Sequence, residues 1–232
     1  MRITRLVAGT VTAGLLGITP IAISAPAQAS DNLTTTTTAS PSEAALVYGD
    51  DFYVNVEVIG SDGLSVPYGT STLYAMPAGS AAWEPVATGT FAGSDFYDVK
   101  PRANTVYKVV FGGYAATSQY QDNYAASESA PFTVSVARKM TIKNPRGTFV
   151  KGKISPDYKK KKVLIQKKVG KKWKKFRTLR TNKKSKFQIT LPATRKRTYW
   201  RFLAKGNAEF ATATFEGSTI RYRSAAPRVT VR

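Results

Sequence analysis

The chain contains neither cysteine nor histidine. The lack of thiols excludes disulfide bonds, thiolate nucleophiles and a lipid-attachment cysteine, so the fold depends on its apolar core alone. The lack of imidazole excludes Ser-His-Asp and Cys-His catalysis and histidine-bound zinc. We therefore predict a protein that is not an enzyme, with no catalytic residues, no cofactor and no metal site.

Acidic residues are scarce in the last 95 residues of the chain. Residues 138–232 hold 30 Lys and Arg against three acids, a net charge of +27, whereas residues 31–137 hold three bases and eleven acids, a net charge of −8. The overall charge of +21 therefore conceals two halves of opposite sign. A basic field of this density attracts polyanions over about 8–10 Å at physiological salt. We expect an extended, anionic partner for the second half.

Long apolar runs are missing as well, except at the N-terminus. Arg2 and Arg5 precede an apolar segment, residues 6–23, that glycine and proline interrupt, and Ala27 and Ala29 then form a small-x-small cleavage site. A membrane anchor is the alternative, but a spanning helix needs about 20 predominantly apolar residues. This pattern predicts a signal peptide over residues 1–29, a secreted protein, and no membrane span in the mature chain.

No stretch of the mature chain repeats its apolar residues with a helical period. Instead, short runs alternate apolar and polar side chains, as in residues 52–58, and end at turn residues such as those of segment 60–63. This alternation predicts an all-β protein. The Thr/Ser-rich segment 30–43, with five consecutive threonines, has little to bury, so we expect a disordered spacer there; a paired strand is the alternative.

The order of landmarks in the first half recurs in the second. Trp83 and Trp173 each follow a strand pattern and a glycine-containing turn, and each precedes a proline by 18 or 19 residues. The period of about 90 residues matches one β-sandwich per repeat. We therefore predict two tandem domains, an acidic one over residues 44–137 and a strongly basic one over residues 138–232.

Three segments of the second half carry a more specific resemblance. GTFVKGKISP (147–156), KVLIQKKVGKKW (162–173) and RTNKKSKF (180–187) resemble the bacterial Ig-like repeats of secreted proteins from Gram-positive, high-GC bacteria. The resemblance covers residues 140–232 well and residues 44–137 loosely. It implies Ig-like β-sandwich modules that act outside the cell and share no enzymatic activity.

Lysine clusters in the second half are the candidate binding residues. Their spacing predicts neighbouring strands and turns, where their side chains would merge into one cationic face. A solvated surface whose lysines block strand edges is the alternative. Among the interleaved aromatic residues, we expect Trp173, Phe187 and either Tyr199 or Trp200 in the core, and Tyr158 and Tyr222 at the surface. The predicted polyanion-binding residues are Lys159, Lys160, Lys161, Lys162, Lys171, Lys172, Lys174 and Lys175.

These features predict a secreted, non-enzymatic accessory protein, retained without covalent attachment at the cell wall. Its basic domain would bind an anionic cell-wall polymer, such as a teichoic-acid-like phosphate chain, or an acidic polysaccharide. Two alternatives stay open. The acidic domain, with carboxylates at Asp50, Asp51, Asp95 and Asp98, acts on or adheres to glycans while the basic domain only tethers it. Or the polyanion is extracellular DNA, bound without sequence preference.

Overall fold

A computed structural model describes residues 30–221, and all regular elements in this range are β-strands. The predicted signal peptide, residues 1–29, and Tyr222 lie outside the described residues. Over the range described, no helix is present that would be long and apolar enough to span a membrane. The predicted all-β fold class is confirmed.

The first domain is a sandwich of two sheets. Strands β2, β4 and β7 form one sheet, and β3, β11, β8, β5 and β6 lie in that order in the other, with β10 also paired to β8. Val54, Leu73, Val109 and Val134 are fully buried between the sheets. The strands are β1 (Asn32–Leu33), β2 (Thr35–Pro41), β3 (Ala45–Val47), β4 (Phe52–Gly60), β5 (Ser71–Pro77), β6 (Glu84–Thr88), β7 (Phe96–Val99), β8 (Thr105–Phe111), β9 (Asn123–Tyr124), β10 (Ser127–Glu128) and β11 (Phe132–Ala137).

The prediction of a disordered spacer over residues 30–43 is wrong. Strand β2 pairs along its whole length with β4, and Thr37 is buried. The hydroxyl groups of Thr35 and Thr37 share hydrogen bonds with the hydroxyl of Ser127, at 2.6 and 2.7 Å. Threonine is β-branched and favours strands, and here its polar groups find partners inside the domain. The segment is therefore the first long strand of the sandwich.

The second domain is a smaller sandwich of the same kind. One sheet has the order β12-β13-β16 and the other the order β15-β14-β17-β18. Trp200, Phe202, Ile154 and Ile165 are its largest fully buried side chains. The strands are β12 (Lys139–Arg146), β13 (Phe149–Ser155), β14 (Lys162–Val169), β15 (Lys172–Arg180), β16 (Lys186–Thr190), β17 (Thr198–Ala204) and β18 (Ala213–Thr219).

The two domains share one topology. The sheet β2-β4-β7 corresponds to β12-β13-β16, and the sheet β11-β8-β5-β6 corresponds to β18-β17-β14-β15. Two packed antiparallel sheets between which the chain crosses in this order form an immunoglobulin-like sandwich. In both domains the chain crosses from β4 or β13 to β5 or β14, and the next strand, β6 or β15, pairs with that strand. The repeated landmarks in the sequence therefore reflect a repeated fold.

The domains contact each other directly. Arg138 is the single residue between β11 and β12. The loop between β17 and β18 reaches the first domain, where the backbone N–H of Asn104 donates to the carbonyl of Glu209 at 2.7 Å. The backbone N–H of Ala211 likewise donates to the carbonyl of Val136 at 2.8 Å. The chain thus passes from one sandwich to the next without a free linker.

Candidate functional site

The eight predicted lysines form two separate groups rather than one face. The turn lysines, Lys159–Lys162, precede or begin β14, whereas the hairpin lysines, Lys171, Lys172, Lys174 and Lys175, follow its far end. Seven residue steps along β14 separate the groups, or about 23 Å at the usual rise of a strand. The prediction of a single merged face is therefore wrong, because the two clusters flank the ends of the same strand.

The hairpin lysines are also divided between the two faces of their sheet. Lys174 lies opposite Lys167, which in turn lies opposite the buried Trp200. Both lysines therefore lie on the face of the sheet that packs on the core, but past the end of the core. Lys175 lies opposite Gln166 on the outer side. Like charges that face each other across strands cost stability, and an external anion would relieve this cost.

On the outer face of this sheet, two cationic side chains contact one aromatic ring. The guanidinium carbon of Arg201 lies 4.6 Å from the centre of the Trp173 ring, and the ammonium of Lys168 lies 5.7 Å from it. Arg201 also donates two hydrogen bonds to the side-chain oxygen of Gln166, at 3.0 and 2.7 Å. These contacts hold a basic and aromatic surface in place.

Trp173 was expected in the core, and this prediction is wrong. The register of β14 and β15 pairs it with Lys168 on the outer side, where it is half-buried. Trp200 and Phe187 do lie in the core, as predicted. Because side chains alternate along a strand, the inward Trp200 turns its neighbour Tyr199 outward, and Tyr199 is half exposed.

The first domain repeats this tryptophan–cation contact. The ammonium of Lys108 lies 5.0 Å from the centre of the Trp83 ring. Lys108 and Arg201 occupy equivalent positions of the two domains. Lys108 on β8 lies opposite Tyr74 on β5, and Arg201 on β17 lies opposite Gln166 on β14. The two pairs differ in charge balance, because Lys108 forms an ion pair of 2.7 Å with Glu128 while Arg201 is held by a neutral amide. Among residues 30–221, no carboxylate forms an ion pair with Arg201.

The turn lysines border a cavity at the domain boundary, which we call the junction pocket. Its volume is about 380 Å³, and it contains six cationic side chains and one acidic one. The acid, Asp157, is already paired with Lys159 at 2.6 Å. The lining residues are Arg138, Asp157, Tyr158, Lys160, Lys161, Lys162, Arg180, Lys205, Gly206 and Asn207.

Tyr158, predicted at the surface, is buried in the wall of this pocket. Its hydroxyl donates to the carbonyl of Lys162 at 2.9 Å, and its backbone N–H donates to the hydroxyl of Ser185 at 2.8 Å. Burial raises the pKa of Tyr158 above its ordinary value, and the nearby charge of Arg138 lowers it in part. The prediction is wrong because the turn after β13 folds back over the end of the core.

Arg138 is the functional candidate that the sequence did not single out. Its guanidinium lies over the rings of Phe210 and Tyr158, at 4.0 and 5.3 Å from their centres. The side chain is nine-tenths buried, and its Nε is the one buried side-chain polar atom in residues 30–221 without a hydrogen-bond partner. Burial lowers the pKa of Arg138, whereas Tyr158 and Glu209 oppose this shift.

The first domain has a different surface pocket, lined by tyrosine and carboxylates. The rings of Tyr53 and Tyr97 stack with centres 6.1 Å apart, and Asp51 and Asp98 lie beside them in a cavity of about 360 Å³. Asp95, another predicted acid, accepts a hydrogen bond of 2.8 Å from the backbone of Val56. In the part of the chain that the structure describes, no three potential metal-ligating side chains cluster together.

Comparison with known proteins leaves the family open. The sequence matches no known protein family, and no curated protein shows significant similarity to it. A two-domain fibronectin type-III segment of chicken tenascin covers 82% of this chain and 100% of its own length at 8% identity, with a TM-score of 0.42. The human OSCAR ligand-binding domain covers 83% of this chain and 100% of its own at 10% identity, with a TM-score of 0.29. A segment of alpha-2-macroglobulin from Escherichia coli covers 78% and 97% at 10% identity, with a TM-score of 0.29.

Proposed function

We propose that the protein is a secreted, non-enzymatic binding module whose second domain holds anionic polymers of the cell envelope or its surroundings. The observation that carries this proposal is the lack of internal compensation for the positive charge. Residues 138–232 hold 30 Lys and Arg, yet the described part of this domain contains one ion pair, between Lys159 and Asp157. Charges that the fold does not neutralise remain available to an external anion.

The layout of these charges fits an extended ligand. The turn lysines and hairpin lysines lie about 23 Å apart along β14, and the aromatic outer face around Trp173 lies on the same sheet. A polymer with regularly spaced anions contacts both groups at once, whereas a small anion meets only one. Lysine contributes point charges rather than a planar fork, so we expect recognition by charge and spacing.

A phosphate-rich wall polymer of the teichoic-acid type, or an acidic polysaccharide, is the ligand class that we propose. The test is co-sedimentation of purified residues 30–232 with isolated Gram-positive wall fragments, before and after chemical removal of their anionic polymers. We expect the protein to sediment with intact walls and to stay in the supernatant with stripped walls. Equal sedimentation with both would contradict the proposal, and preferential capture of DNA in a parallel assay would replace the wall polymer by extracellular DNA.

One observation favours a second candidate, glycan binding by the first domain. The exposed, stacked Tyr53 and Tyr97 beside Asp51 resemble the aromatic platforms and hydrogen-bonding carboxylates that hold sugars. A neutral-glycan binding screen tests this candidate with Tyr97→Ala, and Tyr120→Ala serves as the control because Tyr120 is exposed elsewhere. Loss of a glycan signal only in Tyr97→Ala would support the candidate. The absence of any signal with the unchanged protein would reject it.

A further inference from the structure

The junction pocket is assembled from parts of the chain that the register brings to one end of the second domain. Lys162, which begins β14, lies opposite Arg180 at the end of β15, and Val163 lies opposite Ala204 at the end of β17. The turn before β14, the end of β15 and the loop after β17 therefore meet. Arg138 closes this end from the domain boundary.

The backbone of the turn lysines is held firmly around the pocket. The N–H of Lys161 donates to the hydroxyl of Thr181 at 3.1 Å, and the N–H of Thr181 donates to the carbonyl of Lys161 at 3.0 Å. A third bond of 3.3 Å runs from the guanidinium of Arg180 to the carbonyl of Lys160. A site whose backbone is already ordered loses less conformational entropy when a ligand binds.

The pocket has an unbalanced charge. Six cationic side chains line it, and its one acid is engaged by Lys159. Arg138 is buried, and the aromatic rings of Phe210 and Tyr158 offset only part of the cost of removing a guanidinium from water. Its Nε has no acceptor among the described residues. Arg138 lines the cavity together with the turn lysines, so an anion with several acceptor oxygens bound there would offset this excess of positive charge.

We propose that the junction pocket binds a phosphate group, and that it anchors the polymer while the rest of the basic surface follows the chain. The volume of about 380 Å³ admits a phosphate with part of a linked glycerol or sugar. Arginine offers a planar fork that matches phosphate oxygens, and lysines add point charges around it. The biological source of the phosphate rests on the function proposed above, whereas phosphate binding itself does not.

Binding in this pocket also acts on the contact between the domains. Arg138 connects the two sandwiches, and Phe210 lies within 6.4 Å, between ring centres, of Tyr48 in the first domain. A phosphate that bridges Arg138 and the turn lysines would hold this connection in place. A ligand that binds only the folded state raises the melting temperature, so phosphate should stabilise the protein more than chloride at matched ionic strength.

The test uses residues 30–232 with two probes, inorganic phosphate and a poly(glycerol phosphate) chain, followed by calorimetry and thermal melting. The pocket variant is Lys161→Gln with Arg180→Gln, and the control is Lys143→Gln with Lys153→Gln, which removes the same charge from exposed positions of the sheet β12-β13-β16. We expect the pocket variant to lose at least about tenfold in phosphate affinity, since two charge-assisted contacts are removed, while the control keeps it. Arg138→Lys conserves the charge but removes the fork, and should also weaken phosphate binding.

The outcomes separate this proposal from the proposed function. Equal phosphate affinity in the unchanged protein and the pocket variant, or the lack of a phosphate effect beyond that of chloride, would overturn the pocket proposal even if the polymer binds. Failure of the unchanged protein to bind the polymer would contradict the proposed function instead. Equal loss in the pocket variant and in the control on the sheet β12-β13-β16 would show that net charge, and not the pocket, determines phosphate binding, and would also overturn the proposal.

Discussion

The guanidinium of Arg138 lies 4.0 Å from the centre of the Phe210 ring, across 72 residues of sequence. Phe210 belongs to the loop between β17 and β18, and its ring makes an edge-type contact with Tyr48 of the first domain, with ring centres 6.4 Å apart. One aromatic side chain thus joins the connecting residue, the second domain and the first. This contact lies beside the two backbone hydrogen bonds that join the domains.

Replacement of Phe210 by alanine should destabilise the protein by about 3–5 kcal/mol. The substitution removes a buried aromatic side chain and leaves the guanidinium of Arg138 without its nearest ring. Urea unfolding monitored by circular dichroism measures the change, and Phe91→Ala is the control because Phe91 is exposed. A loss in Phe210→Ala no greater than in the control would contradict the account of the domain boundary.

The threonine-rich segment gives a matched pair of substitutions. Thr37 is buried and Thr38, its neighbour on β2, is exposed. A carboxylate at the buried position loses its hydration, so Thr37→Asp should cost several kcal/mol while Thr38→Asp should cost less than about 1 kcal/mol. Equal and small effects in urea unfolding would show that residues 30–43 do form a spacer and that β2 is not part of the sandwich.

Gly152 on β13 has no room for a side chain. A Cβ at this position would overlap the ring of Phe187, whereas a Cβ at Gly217 on β18 would meet the ring of Phe215 at an ordinary distance of 3.5 Å. We expect Gly152→Ala to destabilise the protein by about 1–3 kcal/mol through overpacking, and Gly217→Ala to be nearly neutral. Thermal melting of the two variants tests the packing between β13 and β16, and the reverse ranking would be inconsistent with it.

The buried Tyr107 predicts a loss of stability at high pH. Burial raises its pKa from 10.0 to about 12, although a hydrogen bond with Thr105 lowers it in part. Because the folded state favours the neutral phenol, the stabilising contribution is complete below pH 10 and disappears as the pH rises to about 12. It amounts to at most about 2–3 kcal/mol.

Replacement of Tyr107 by phenylalanine should remove this contribution to the pH dependence. We expect Tyr107→Phe to lose less stability than the unchanged protein between pH 10 and 12, as measured by urea unfolding at several pH values. Tyr97→Phe is the control, since Tyr97 is exposed. Identical pH profiles for all three proteins would contradict the buried position of the Tyr107 hydroxyl.

Most of the fold could be predicted from alternation, turn residues and the repeat. The run at residues 52–58 predicted β4, because a half-buried strand requires a period of two. Segment 35–41 was missed because threonine provides no hydrophobic contrast between its faces, and its polar groups are satisfied by the distant Ser127. A β-propensity argument for the threonine run was the one available signal.

The candidate site was predicted less well than the fold. Composition located the basic domain, but the division of the lysines depends on the register of β14 and β15, which the sequence does not specify. Trp173 was placed in the core because its repeat position was known but its face was not. Arg138 could not be found, since its partners Tyr158 and Phe210 are brought to it by tertiary contacts alone.

The salt dependence of polyanion binding tests the central claim most directly. The variant replaces all eight predicted lysines, Lys159–Lys162, Lys171, Lys172, Lys174 and Lys175, by glutamine. These side chains are exposed, so the fold should persist. Two further variants control for net charge, since each removes four positive charges. One replaces the four turn lysines alone by glutamine, and the other replaces Lys139, Lys143, Lys151 and Lys153 on the opposite sheet.

The measurement is the affinity for purified teichoic acid, heparin and DNA at several salt concentrations. For the unchanged protein we expect the logarithm of the affinity to fall linearly with the logarithm of salt, with a slope on DNA of about −0.7 to −0.9 per phosphate neutralised. The eight-lysine variant should bind weakly with a shallow slope, and the opposite-sheet variant should lose less than the turn-lysine variant. Binding by the unchanged protein that does not respond to salt, or equal binding by the eight-lysine variant, would contradict the claim that these lysines hold an anionic polymer.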